Sequence, residues 1–222
     1  ALFHASFMAE RPTVRAYRMH SQAHDVSAPS LLEALRTGTG LLHVALEKRL
    51  PFFSEHLDAD GYRQLLQAYY GFYRPMETAL YGCGFIPEGF DQALRTKTPT
   101  LVRDLHALGL NDAAIDALPR CDHLPAFDTP AACLGALYVL EGATLGGQVL
   151  RREMSLRLNL HADNGGAFLN VYGAETGRRW KDFLDYLNSQ PLDASATQHA
   201  VIAARSTFSG FEQWLDSQEV LL

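Results

Sequence analysis

Residues 138–152 read YVLEGATLGGQVLRR. They lie within a largely apolar stretch, from Pro130 to about Asn159, whose pattern predicts a helix. Three glycines, Gly142, Gly146 and Gly147, interrupt that pattern. Each costs about 1 kcal/mol relative to alanine in a helix interior. A chain that needed only a helix here would gain by replacing them. Two physical returns are available. A flat, wide molecule can lie against a backbone that has no side chains to hold it away, and adjacent glycines let the helix bend around it. Alternatively, another helix packs closely at this point, or the segment contains a short loop.

Downstream, NGGAF (164–168) reads as a turn, and residues 172–189 and 194–219 as two helices separated near Pro191. Upstream, RCDHLPAFDTP (120–130) reads as a loop. Residues 98–109 read as a helix and 111–118 as a short one. Before them Tyr62, Leu65, Leu66, Tyr69, Tyr73, Met76 and Leu80 recur at spacings of three and four behind Asp60, which predicts a long amphipathic helix. Pro75 lies inside it and should kink it or remove one hydrogen bond. The first core helix opens at Ser30, with Glu33 placed to complete a capping box. It runs through Leu31, Leu32, Leu35, Leu42 and Leu46 to a stop at Pro51. Gly38 and Gly40 suggest two pieces with a bend. Residues 1–29, of mixed polarity, read as an arm or extra helix laid on the main body. No stretch alternates with period two, so the expectation is an all-α, single-domain helical bundle over residues 30–222.

Composition narrows the classes. Of 222 residues 47% are hydrophobic, enough for a sizeable core, and no apolar run reaches the roughly 18 residues that span a bilayer. With 19 basic and 25 acidic side chains the formal net charge is −6, which argues against a general nucleic-acid binder. Neither a nucleic acid nor a membrane is expected as a partner. The opening residues lack the pattern of a secretory signal. Cys83, Cys121 and Cys133 are isolated in sequence and odd in number, which suits free thiols in a reducing cytoplasm.

Chemistry-bearing patterns are few. His43 sits in GLLHVALEKRL (40–50) on the first core helix. Neutral imidazole is an ordinary axial ligand for haem iron, although a lone histidine on a helix more often ligates nothing. No second histidine stands one turn away, so a helical zinc pair is absent. Glu47 is one turn further on the same face, placed to hold the second ring nitrogen of His43 or to serve as a surface carboxylate. There is no phosphate-loop spacing, no Gly-x-Ser-x-Gly and no Glu-x-x-His pair on the long helices, which weakens nucleotide, hydrolase and dimetal readings.

The two segments together are recognisable. The chain resembles the haem oxygenases, specifically bacterial ones, over most of residues 30–218. The resemblance implies a haem held between a proximal and a distal helix. His43 matches the proximal iron ligand and Glu47 the carboxylate that follows it. Gly142, Gly146 and Gly147 match the glycine-rich distal stretch over the haem. YYGFYRPMETAL (69–80) is similar to the aromatic-rich second helix, implying that Tyr70 and Tyr73 lie near the pocket. STFSGFEQWL (206–215) is similar to the final helix, with Phe208 lining the cavity. Arg36, two turns before His43, stands where the family often has a base for the haem propionates, and Arg179 is the candidate from the basic group 178–181, ahead of Lys181. One position departs from the pattern: many members carry an aspartate three residues before the glycine pair, and here that residue is Ala143.

What the resemblance implies about activity is an oxygen- and electron-dependent opening of haem to biliverdin, with release of carbon monoxide and ferrous iron. Haem would be both cofactor and substrate, with no separate metal site. Electrons would come from an external donor such as ferredoxin or a NAD(P)H-dependent reductase, and a bilin-binding photoreceptor could receive the product. The competing readings are a non-catalytic haem chaperone or sensor of the same fold, and a metal-free helical enzyme acting on a small organic molecule.

Overall fold

The computed structural model describes residues 28–222. The expectation for residues 1–27 of the N-terminal arm lies outside them. Eight α-helices are described: α1 (Leu31–Arg49), α2 (Ala59–Gly82), α3 (Gln92–Arg95), α4 (Thr98–Ala107), α5 (Asp112–Asp116), α6 (Pro130–Leu158), α7 (Thr176–Asn188) and α8 (Ala194–Ser217). Short 3₁₀ turns stand at Pro51–Phe53, Phe168–Asn170 and Gly173–Glu175. Among the described residues there is no strand, and the all-α reading holds.

Local chemistry fixes the helix ends. Ser30 and Glu33 form the reciprocal capping box of α1, with the Glu33 N–H donating to Ser30 Oγ at 3.2 Å and the Ser30 N–H to Glu33 Oε2 at 2.9 Å. Asp58, Thr129 and Asp193 cap α2, α6 and α8 in the same side-chain-to-backbone manner. At its other end α6 stops at Asn159, whose φ of 52° is the left-handed conformation that closes a helix. Pro75 does not break α2. Its missing N–H leaves the carbonyl of Gly71 without an intrahelical donor, and the N–H of Cys121, from the loop after α5, fills that place at 2.8 Å. The proline thus seats the 119–121 loop on the helix.

Both interrupted helices of the sequence reading are continuous. Glycine serves close packing along both of them. A Cβ on Gly135 of α6 would stand 2.1 Å from the carbonyl oxygen of Ala200 on α8. The two helices touch backbone to backbone there, and only glycine permits it. Gly38 performs the same service for α1 against Val201 of α8. Helix α6 is therefore the central element, with residues 131–142 buried without exception. It is long and apolar enough by composition to cross a membrane, contrary to the sequence reading, but 72% of that window is buried in the protein's own core.

The structure also corrects the reading of the cysteines as isolated. The end of α2 meets the start of α6, and the Cys83 and Cys133 Sγ atoms lie 3.4 Å apart. Burial, reinforced by Cys83, pushes the Cys133 thiol up to about 12.

Candidate haem site

Helices α1, α2, α6 and α8 and the 3₁₀ turn at Phe168–Asn170 enclose one apolar cavity with about 1000 Å³ of empty space, its open mouth included. That is at the upper end of the range for small-molecule sites. The aromatic rings of Tyr69, Phe72, Tyr73, Phe168, Phe208 and Phe211 form much of its wall. Tyr69 packs edge-on against Phe168 and Phe211, at centroid distances of 5.8 and 5.1 Å, so the wall is a locked aromatic cluster.

His43 and Glu47 lie on this wall, with side chains only 15% and 11% exposed. The helical repeat places them one above the other, and His43 Nε2 is 3.0 Å from Glu47 Oε1. That carboxylate oxygen is buried and receives no aligned hydrogen bond among the described residues. A half-turn of the imidazole exchanges which ring nitrogen faces Glu47. The His43 ring packs on Phe208 of α8 at 5.7 Å, which fixes its plane.

The distal stretch of α6 contributes Gly142, Ala143, Thr144, Gly146 and Gly147 to the same cavity. The glycines separate by role. A Cβ on Gly147 would stand 2.5 Å from the Leu169 carbonyl oxygen, so this glycine is required by the 3₁₀ turn packed against α6. Both physical returns weighed for the motif therefore operate within one helical turn: Gly147 serves packing, and Gly146 keeps the wall free of side chain. Gly147→Ala is expected to lower the stability of the haem-free protein by roughly 1–3 kcal/mol, the cost of overpacking. Gly146→Leu is expected to fill the cavity and suppress haem binding and turnover more than folding. Paired urea melts and haem titrations check both; equal stability losses would remove the distinction.

Three sequence-nominated residues lie elsewhere. Tyr70 is buried, but its phenol meets Arg120, whose Nη2 lies 3.5 Å from the Tyr70 hydroxyl and whose guanidinium carbon lies 5.9 Å from the ring centre. One residue is about 100° around a helix, so Tyr69 and Tyr73 share the cavity face and Tyr70 does not. Arg36 is on the predicted side of α1 but about 10 Å along its axis from His43. The cavity extends the other way, toward Leu46, Glu47 and Leu50. Arg179 lies behind the wall, its guanidinium 4.6 Å over the Tyr172 ring and its Nη1 bonded to the Leu94 carbonyl.

Sequence reasoning missed a buried polar network that reaches the cavity. Glu141, 1% exposed, receives Arg95 Nη1 at 2.6 Å on Oε2 and Lys97 Nζ at 2.6 Å on Oε1. The Tyr172 hydroxyl lies 2.9 and 3.0 Å from its two oxygens. Lys97 is also 1% exposed and lines the cavity. Glu77 accepts from the backbone N–H groups of Lys97 and Thr98 and from the Thr98 hydroxyl, anchoring the start of α4. A signal existed in the sequence: a carboxylate inside the most apolar helix must find buried partners.

Comparison with known proteins agrees with this geometry. The family model described as Heme oxygenase matches residues 29–217.

The chain belongs to the haem oxygenase family.

A curated haem oxygenase from Xanthomonas campestris pv. campestris is 29% identical over 167 residues, spanning 73% of this chain and 93% of that protein. Two solved structures share the fold. The haem oxygenase of Leptospira interrogans superposes with a TM-score of 0.70 at 21% identity, covering 85% of this chain and all of that one. Haem oxygenase-1 of Synechocystis, solved in complex with haem, gives 0.66 at 20% identity, covering 86% and 93%. Family membership assigns the general class, haem-binding and oxygenase-like.

Proposed function

We propose that this haem oxygenase opens haem to biliverdin, carbon monoxide and ferrous iron. The observation that carries the reading is the convergence of His43, with Glu47 beside it, and the side-chain-free Gly142 and Gly146 on one apolar cavity. The residues fit haem: an imidazole on the wall, a buried carboxylate oxygen lacking a hydrogen bond, and an aromatic lining for a flat macrocycle. When bound, haem supplies the iron that activates oxygen and the ring that is cleaved.

The chain's own contribution is orientation and exclusion. His43 would hold iron through the ring nitrogen remote from Glu47, and Glu47 would raise its basicity and fix the ring. Phe208 restrains the imidazole from the side. Gly142 and Gly146 let the backbone of α6 approach the opposite face, and no distal histidine is supplied from that stretch. The aromatic wall keeps bulk water from the reacting edge. An external ferredoxin or NAD(P)H-dependent reductase would deliver electrons, and a bilin-binding photoreceptor is one destination for the product.

Ala143 is the observation that favours a second reading, a haem chaperone or sensor, since it cannot order water as a carboxylate would. One experiment separates the two. The protein, loaded with one equivalent of haem, is given oxygen and a reductase–ferredoxin system, followed by absorption spectroscopy and product chromatography. Loss of the haem band with appearance of biliverdin is expected. A stable oxygenated spectrum with proven electron delivery would replace the enzyme with the carrier.

A further inference from the structure

The missing distal carboxylate leaves the cavity without an acid on α6, yet the cavity is not without charge. Lys97, in the link between α3 and α4, lines it together with Ala143. Its ammonium has three hydrogens. One is directed to Glu141 Oε1 at 2.6 Å and one to the Arg95 carbonyl at 3.0 Å. These are the hydrogen bonds of Nζ among the described residues. The ammonium also lies 5.3 Å from the centre of the Tyr172 ring. A lysine stem has four rotatable bonds, and these contacts, with 1% exposure, hold it in one position.

The charge balance around it is positive. Glu141 on α6 faces two cations, Arg95 and Lys97. From α2, Glu77 contributes one further negative charge, spent on the backbone N–H groups and the hydroxyl that open α4. The guanidinium of Arg179, on α7, lies 4.6 Å from the centre of the same Tyr172 ring. Tyr73 and Tyr81 from α2 and Tyr172 all have phenols raised well above their ordinary value, chiefly by burial, so they stay neutral donors. Three cations thus stand against two carboxylates, and Lys97 is the cation of the set that lines the cavity. Tyr73 lines it too. Burying such charge with no gain at the site would cost free energy that a well-packed apolar cluster avoids.

We propose that Lys97, pinned by the positioning residue Glu141, supplies the fixed positive charge of the distal wall that Ala143 leaves without a polar side chain, stabilising anionic oxygen ligands and ordering water at the bound haem. This rests on the haem-binding reading above. A fixed cation in a water-poor cavity acts on charge as it develops without having to reorganise first. It differs from an aspartate in kind, since it favours negative charge on a ligand directly and holds its proton through an ion pair.

The test uses ferric haem bound to the protein and reads spectra rather than turnover. In Lys97→Met, the pH midpoint for conversion of bound water to hydroxide is expected to rise by about one unit, and cyanide affinity to fall about tenfold, the size of effect that a unit charge about 10 Å away exerts at an effective dielectric constant of about 20. Lys97→Arg should restore both in large part. Circular dichroism and haem affinity of Lys97→Met should stay near wild type, since Glu141 keeps Arg95 and Tyr172. An unmoved midpoint with unchanged cyanide affinity would overturn the proposal. So would a fall in haem affinity without a shift in midpoint, which would place Lys97 on a carboxylate of the macrocycle instead. Failure of the wild-type protein to give a histidine-ligated haem spectrum would overturn the haem-site assignment itself, a result distinct from either of these.

Discussion

His43→Ala is expected to abolish the histidine-ligated ferrous haem spectrum and, with it, ring opening. The cavity wall presents a single imidazole among the described residues, and the other lining side chains are apolar, hydroxylic or the charged Glu47 and Lys97. None of these replaces a neutral nitrogen ligand for ferrous iron. The apolar wall should still admit the macrocycle, so haem uptake should weaken rather than vanish, and added imidazole should recover part of the spectrum by entering the space left behind. Glu47→Gln separates ligation from tuning: the iron–histidine band should persist but shift, with a loss in activity of roughly 10- to 100-fold. Resonance Raman spectroscopy of the ferrous complex reads both variants. An unchanged iron–histidine band in His43→Ala would exclude His43 as the ligand.

Glu141→Leu is expected to be the most destabilising single change near the site, by roughly 3–5 kcal/mol, because it strands Arg95 and Lys97 as buried cations. Both are held at 2.6 Å by the carboxylate, and their side chains are 9% and 1% exposed. Lys97→Met should cost far less, since it removes a charge instead of orphaning one. A domain of this kind has a total stability of only about 5–15 kcal/mol, so the Glu141 variant should show a large drop in urea midpoint, or fail to accumulate folded. Urea unfolding of the haem-free proteins with comparison of midpoints and slopes gives the measurement. Equal and small losses in the two variants would mean that water or rearrangement screens the cluster, and that Glu141 does not fix Lys97.

Much of the fold was legible because helix signals are local. Ser30 with Glu33, and the apolar spacing from Tyr62 to Leu80, each specify an element from a few neighbouring residues. The first site pair was legible for the same reason, since His43 and Glu47 are one turn apart on one helix. The glycines of α6 were legible only as a cost that needed a return. Which return applies to each depends on what packs against it, and Leu169 lies 22 positions beyond Gly147.

Tertiary structure alone decided the rest. Whether Tyr69 or Tyr70 faces the cavity turns on the rotation of α2 about its axis, which the loop seated at Gly71 and the packing of Phe211 set together. Arg36 and Arg179 were nominated by charge and position, but a charge does not state which way along its helix the cavity opens. The network of Arg95, Lys97, Glu141 and Tyr172 draws on three separate parts of the chain, and no local pattern joins them. The sequence by itself determined most of the long helices, the pairing of an imidazole with a carboxylate one turn on, and the family, because each is written in near neighbours. The polar end of the cavity was decided only when folding buried Glu141 in the most apolar helix, where a carboxylate must gather distant cations to remain charged.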